Sequence, residues 1–113
     1  MALSKLAKFR KEREALNEVV MEYANLNIKK FYNLDMRVYK KGALDAGTKE
    51  LLGLVSSFVL RCDDCILYHL GRCREEGVSD DELVEALSIG MIVGGTITIP
   101  HLRRALKAWS ELK

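Results

Sequence analysis

Apolar positions recur with a period near 3.6 along most of the chain and divide it into about six helices. Leu3, Leu6, Ala7, Leu16, Val19, Val20 and Tyr23 form the first stripe. Phe31, Leu34 and Val38 form a second over about 28–40, after a bend near Asn25 and Asn27. Residues 42–47 read as a connection, with Asp45 or Thr48 as the N-cap of a third helix. That helix is striped by Leu51, Leu54, Val55 and Phe58 and runs to about Arg61. A fourth is expected from about Cys62 to Glu76, with Gly77 just past its end, where a left-handed residue closes a helix. Ser79-Asp80-Asp81-Glu82 has the form of a capping box, with Val78 and Leu83 flanking it as a hydrophobic staple, and opens a fifth helix. The last helix begins near Thr98 or Pro100, since proline suits a first turn, and ends around Leu112. Alternation with period two is nowhere sustained, and Ile97-Thr98-Ile99 is too short for a strand. The expected fold class is all-α, as one domain over 1–113 without repeats or linkers.

Composition narrows the class without naming a function. With 113 residues, 49% hydrophobic, 30% charged and one proline, the chain is neither disordered nor collagenous. No apolar run reaches the roughly 18 residues of a membrane span. The longest uncharged run, Ala86 to His101, is broken by Gly90, Gly94, Gly95 and Pro100. The first residues alternate apolar and charged, unlike a secretory signal, so a cytoplasmic protein is expected. Net charge is +2, but residues 1–41 hold ten Lys/Arg against five Asp/Glu. This excess reads as the solvated face of an amphipathic helix, and no nucleic-acid motif accompanies it.

The stretch Leu87–Ile99 is apolar on more faces than one neighbouring layer covers. Gly90, Gly94 and Gly95 would admit a second backbone there, so a homo-oligomer with this helix at its interface is expected.

The chemistry is concentrated in Arg61-Cys62-Asp63-Asp64-Cys65-Ile66-Leu67-Tyr68-His69. At about 100° per residue, Cys65 lies near 300° and His69 near 340° when Cys62 is set to zero, which puts all three on one helix face. Unpaired N–H groups at the helix start favour a thiolate, and an imidazole one turn on can take the thiol proton. Three readings of the cluster compete. The first is a redox-active dithiol. The second is a metal site that adds Cys73, but Cys62 and Cys73 would lie roughly 16 Å apart on a straight helix, so only three of the four ligands could meet. The third is a pair of buried structural cysteines. A thioredoxin fold is excluded, because the segment before the cysteines is helical rather than a strand.

Glu50, then eleven residues, then Cys62-x-x-Cys65-x-x-x-His69 resembles the motif of the AhpD-like alkylhydroperoxidases of the carboxymuconolactone decarboxylase superfamily. Asp45-Ala-Gly-Thr-Lys-Glu-Leu-Leu before it and Gly77-Val-Ser-Asp-Asp-Glu-Leu after it agree, and the likeness spans about 44–107. The resemblance implies an AhpD-like helical bundle that assembles as a homotrimer or homohexamer and reduces peroxides or disulfides without a cofactor or metal. Carried over by position, Cys65 would be the nucleophile and Cys62 its resolving partner. His69 and Glu50 would form the proton relay, and a lipoyl or thioredoxin-type dithiol would return the electrons. A decarboxylase-like lyase and a non-catalytic redox-responsive oligomer are the alternatives.

One position departs from the family pattern. Asp64 stands where characterised hydroperoxidases of this type carry a histidine, and Asp63 precedes it. Two carboxylates beside the thiols oppose thiolate formation, so a thiol titrating nearer neutrality than a strongly acidic one is expected. Cys73 reads as a buried apolar-like residue, and His101 as a surface or interface residue. Tyr68 and Trp109 read as core or interface aromatics, and Arg103 and Arg104 as part of a solvated face.

Overall fold

The N-cap expected at Asp45 and the capping box expected at Ser79 are formed in the computed structural model, which describes residues 4–112. Side-chain oxygens of Ser4, Asn25 and Asp45 accept from backbone N–H groups three residues on and start α1 (Lys5–Tyr23), α2 (Leu26–Val38) and α3 (Ala46–Val59). The bend expected near Asn25 is therefore a break into a new, separately capped helix. Ser79 and Glu82 complete the reciprocal capping box of α5 (Asp80–Gly94), which leads through a 3₁₀ turn (Thr96–Thr98) into α6 (Ile99–Ser110). No strand occurs among the described residues. Leu3, assigned to the first stripe, lies outside them.

The turn that presents the cysteines is set by backbone hydrogen bonds. Beyond α3, Arg61 N–H donates to the Phe58 carbonyl and Cys62 N–H to the Ser57 carbonyl, each at 3.0 Å. This is a Schellman closure, and its left-handed residue is Arg61, at φ 60°. A side chain there costs about 1–2 kcal/mol relative to glycine. Immediately after this turn Cys62 caps α4 (Asp63–Glu75), so the α3–α4 hairpin has almost no loop. The same closure recurs at the end of α4, where Gly77 turns left-handed at φ 79°, as expected.

Leu54 and Phe58 of α3, Ile66, Leu70 and Cys73 of α4, Leu83 and Leu87 of α5, and Ala105, Ala108 and Trp109 of α6 share one core. The glycines of α5 serve this core rather than a second backbone. A Cβ at Gly90 would stand 2.7 Å from the Phe58 ring, and one at Gly94 would stand 2.6 Å from the Thr98 methyl. The space that Gly90 and Gly94 leave is therefore filled from within the chain, whereas a Cβ at Gly95, the third glycine of that expectation, would meet nothing within 4 Å. Ile92 and Val93 on the same helix nevertheless remain mostly exposed.

Helix α1 is anchored by Leu6 in the core and by an Arg10–Glu75 ion pair to α4. Helix α2 buries none of its residues, and Leu26, Phe31, Leu34, Met36 and Val38 all face outward. No described helix is long and apolar enough to cross a membrane.

Candidate functional site

Because α3 and α4 fold back on each other, Glu50 reaches a partner 19 residues further on. Its Oε1 lies 2.8 Å from His69 Nδ1, and the carboxylate is 1% exposed. The hairpin that sequence spacing permitted without requiring is thus present. Arg72, one turn beyond His69, places its Nε 3.6 Å from the second oxygen of Glu50. An ionised carboxylate is acceptor-only, so Nδ1 of His69 carries the hydrogen and the lone pair lies on Nε2.

That lone pair meets the Tyr39 hydroxyl at 3.4 Å. Burial, with the charges of Asp35 and Glu50 adding to it, pushes the Tyr39 phenol above its ordinary range. It therefore stays protonated and donates to Nε2. Tyr39 sits at the C-cap of α2, and Lys49 ties that end down by donating to the carbonyls of Val38 and Lys40 at 2.9 and 2.6 Å. No spacing rule in the sequence singled out Tyr39. It is 30 residues from His69, and the two meet where the end of α2, tied down by Lys49 of α3, returns to the α3–α4 hairpin.

Gly53 makes the close approach possible. A Cβ there would stand 2.6 Å from His69 Cε1, 2.8 Å from Nε2 and 2.9 Å from the Tyr39 oxygen. Glu50 pins the ring, so the ring cannot simply yield. Gly53→Ala should cost about 1–3 kcal/mol in urea unfolding and displace His69. Unchanged stability with an undisturbed imidazole resonance would contradict this placement.

Cys62 and Cys65 form a disulfide across the first turn of α4, with Cα atoms 5.3 Å apart. Cys62 Sγ also accepts from Cys65 N–H at 3.3 Å. The two sulfurs are not equivalent. Cys65 is exposed and opens into a cavity of about 370 Å³ that His69 also lines, whereas Cys62 is half-buried outside it. Apolar walls come from Phe9 and Leu16 of α1 and the ring of Tyr68, with the Arg13 guanidinium 4.4 Å above that ring. Tyr68 is thus a cavity wall rather than a core aromatic. Trp109 is buried as expected, and its Nε1–H donates to Asp80 at 2.7 Å.

The two aspartates between the cysteines diverge. Asp64 is exposed and lines the cavity beside Cys65. Asp63 turns away to α6, where His101 Nδ1 stands at 2.7 Å from one oxygen and Arg104 binds the other at 3.0 Å. Burial raises the Asp63 carboxyl, but the His101 hydrogen bond and the Arg104 charge outweigh it and leave the group below its usual range. Two expectations are corrected here. Arg104 is an ion-pair partner of the motif helix and not merely part of a solvated face. Of the two expected opposing charges, only Asp64 faces the sulfur without a cationic partner.

Cys73 is fully buried, and its thiol is pushed up to about 12 by burial first and by the Glu50 charge second.

The sequence profile of the carboxymuconolactone decarboxylase family matches residues 28–108, so the match includes most of α2 and not only the motif region. The solved structure of TM1620 from Thermotoga maritima is 59% identical and superposes with a TM-score of 0.91, covering 93% of this chain and 92% of that one. A second crystal structure of the same protein is described as that of a family member with a suggested part in an antioxidative response. The Legionella pneumophila family protein lpg0406, in its apo form, is 25% identical with a TM-score of 0.87 over 96% of both chains. Among curated proteins, "Uncharacterized protein 4 in cox locus" of Paracoccus denitrificans is 29% identical over 82 residues, 73% of this chain and 74% of that one.

Proposed function

We propose that this chain, which belongs to the carboxymuconolactone decarboxylase family, is a thiol-dependent peroxidase whose reacting sulfur is Cys65. One observation carries the reading: the exposed sulfur opens into the same cavity as an imidazole whose other nitrogen is bound to a buried carboxylate. The antioxidative role suggested for the Thermotoga protein agrees with it.

In the reduced protein, His69 Nε2 gives up its hydrogen bond from the Tyr39 hydroxyl and takes the Cys65 proton across the cavity, and Glu50 stabilises the imidazolium that results. The thiolate attacks the terminal peroxide oxygen and the O–O bond breaks. The departing alkoxide leaves as an alcohol with the proton from His69, and Cys65 becomes a sulfenic acid. The Cys62 thiol then condenses with it, releasing water and closing the Cys62–Cys65 disulfide. Two thiols and one hydroperoxide thus give one disulfide, one alcohol and one water. An external dithiol, such as a lipoyl or thioredoxin-type partner, supplies the two electrons that reopen the bond. A reducing compartment such as the cytoplasm suits that cycle. Peroxide consumption with a dithiol donor, compared between wild type and Cys65→Ser, tests the reading.

The reading extends to assembly as a homotrimer or homohexamer. The outward apolar residues of α2 and of the later half of α5 are the surfaces that support it. Sedimentation at micromolar concentration should give three or six chain masses, and a stable monomer would overturn it.

A further inference from the structure

We propose that the cavity selects its substrate by charge, admitting uncharged or cationic hydroperoxides and repelling anionic ones. The inference deepens the peroxidase reading and rests on it for the word hydroperoxide. The selection by charge rests on the cavity alone. Three helices each send one carboxylate to its wall: Glu12 from α1, Asp35 from α2 and Asp64 from α4. The single cation there is Arg13, whose guanidinium is held over the face of Tyr68. The formal charge around Cys65 is therefore about −2. Asp63, which would deepen it, is neutralised by Arg104 and His101 on the far side of α4.

The surroundings reinforce this sign. Glu14 and Glu18 border the adjoining groove along α1. Of the basic residues within 1–41, Arg13 alone lines the cavity, while Lys29, Lys30 and Arg37 line a separate groove on α2. Phe9, Leu16 and the Tyr68 ring leave an apolar body of the substrate in contact with hydrocarbon. The substrate class that fits is a small hydroperoxide with an apolar body and no carboxylate. A lactone that carries a carboxylate, the substrate type in the family's name, fits poorly.

Charge probes test this without assuming peroxidase activity. In reduced Cys62→Ser, Cys65 is the accessible thiol, because Cys73 is fully buried. Methyl, 2-(trimethylammonium)ethyl and 2-sulfonatoethyl methanethiosulfonate each transfer a thioalkyl group to the thiolate and release methanesulfinate. Their rates are normalised to those with 2-mercaptoethanol. At low ionic strength the cationic reagent should exceed the anionic one by about tenfold or more. The ratio should shrink severalfold in 0.5 M salt, where the Debye length approaches the ~3 Å it reaches at 1 M. It should also shrink in the Glu12→Gln/Asp35→Asn variant. A normalised ratio of one, or one favouring the anion, overturns the inference. In parallel, wild type with dithiothreitol is given cumene hydroperoxide and its 4-carboxy derivative, and the carboxylate should react about tenfold more slowly at low salt. Equal rates overturn the inference. Inertness toward both peroxides, together with a high reagent ratio, overturns the peroxidase reading and leaves charge selection standing.

Discussion

Cys65→Ser should lower dithiol-supported peroxide consumption at least about 10³-fold, to the background of peroxide and donor alone. A hydroxyl at this position has neither the acidity nor the polarisability to attack an O–O bond. Cys73 offers no substitute, since it is fully buried and its thiol is pushed up to about 12. Cys62→Ser should behave differently. It keeps the exposed sulfur and the imidazole, so it should consume one equivalent of peroxide and stop at a sulfenic acid that a 1,3-dione traps. Wild type should instead lose two daltons, localised to the Cys62–Cys65 peptide. Turnover surviving in Cys65→Ser, or a sulfenic acid appearing on Cys62, would reverse the assignment of the two sulfurs.

Glu50→Gln should reduce kcat by about 10²–10⁴-fold with little change in KM. The side-chain shape is kept, but a glutamine can turn its NH₂ toward Nδ1. That would fix the hydrogen on Nε2, the nitrogen proposed to take the thiol proton. The ring then meets the thiol with a donor where an acceptor is needed. The imidazolium also loses the buried negative charge that lies 2.8 Å from it. A thermal melt close to wild type separates this effect from unfolding. A variant that folds normally and turns over at the wild-type rate would remove Glu50 from the relay and leave it only a structural partner of His69.

Much of the scaffold was legible in the chain because helix signals are local. Ser79 with Glu82, Gly77 and the apolar stripes of α3 and α4 need only their neighbours to be read, and each is found where spacing placed it. The Cys62–Cys65–His69 face follows from helix geometry for the same reason. Glu50 was reached by resemblance, since no local rule says that two helices fold back. Tyr39, Asp35 and Arg13 were not reached at all. Arg13 and Asp35 come to the cavity, and Tyr39 to His69, from α1 and the end of α2, whose sequences read as ordinary amphipathic helices. The role of Asp63 was misjudged because its partner Arg104 lies 41 residues away on α6. The glycines of α5 were read by their smallness, while what occupies the space beside them is decided by Phe58 and Thr98.

Helix α2 lends a carboxylate to the cavity and, from its C-cap, a phenol to His69, yet shelters no side chain of its own. Its bonds to the rest of the chain are few: Lys49 at its last carbonyls, Tyr32 to Asn17, and Tyr39 to His69. Detaching such an element forfeits little burial, so its amide hydrogens should exchange well before those of α3 and α4. Under the assembly proposed above, the outer wall around the sulfur would be as durable as the copy that clasps α2 from outside, and dilution of the protein would become a variable of its chemistry as well as of its mass.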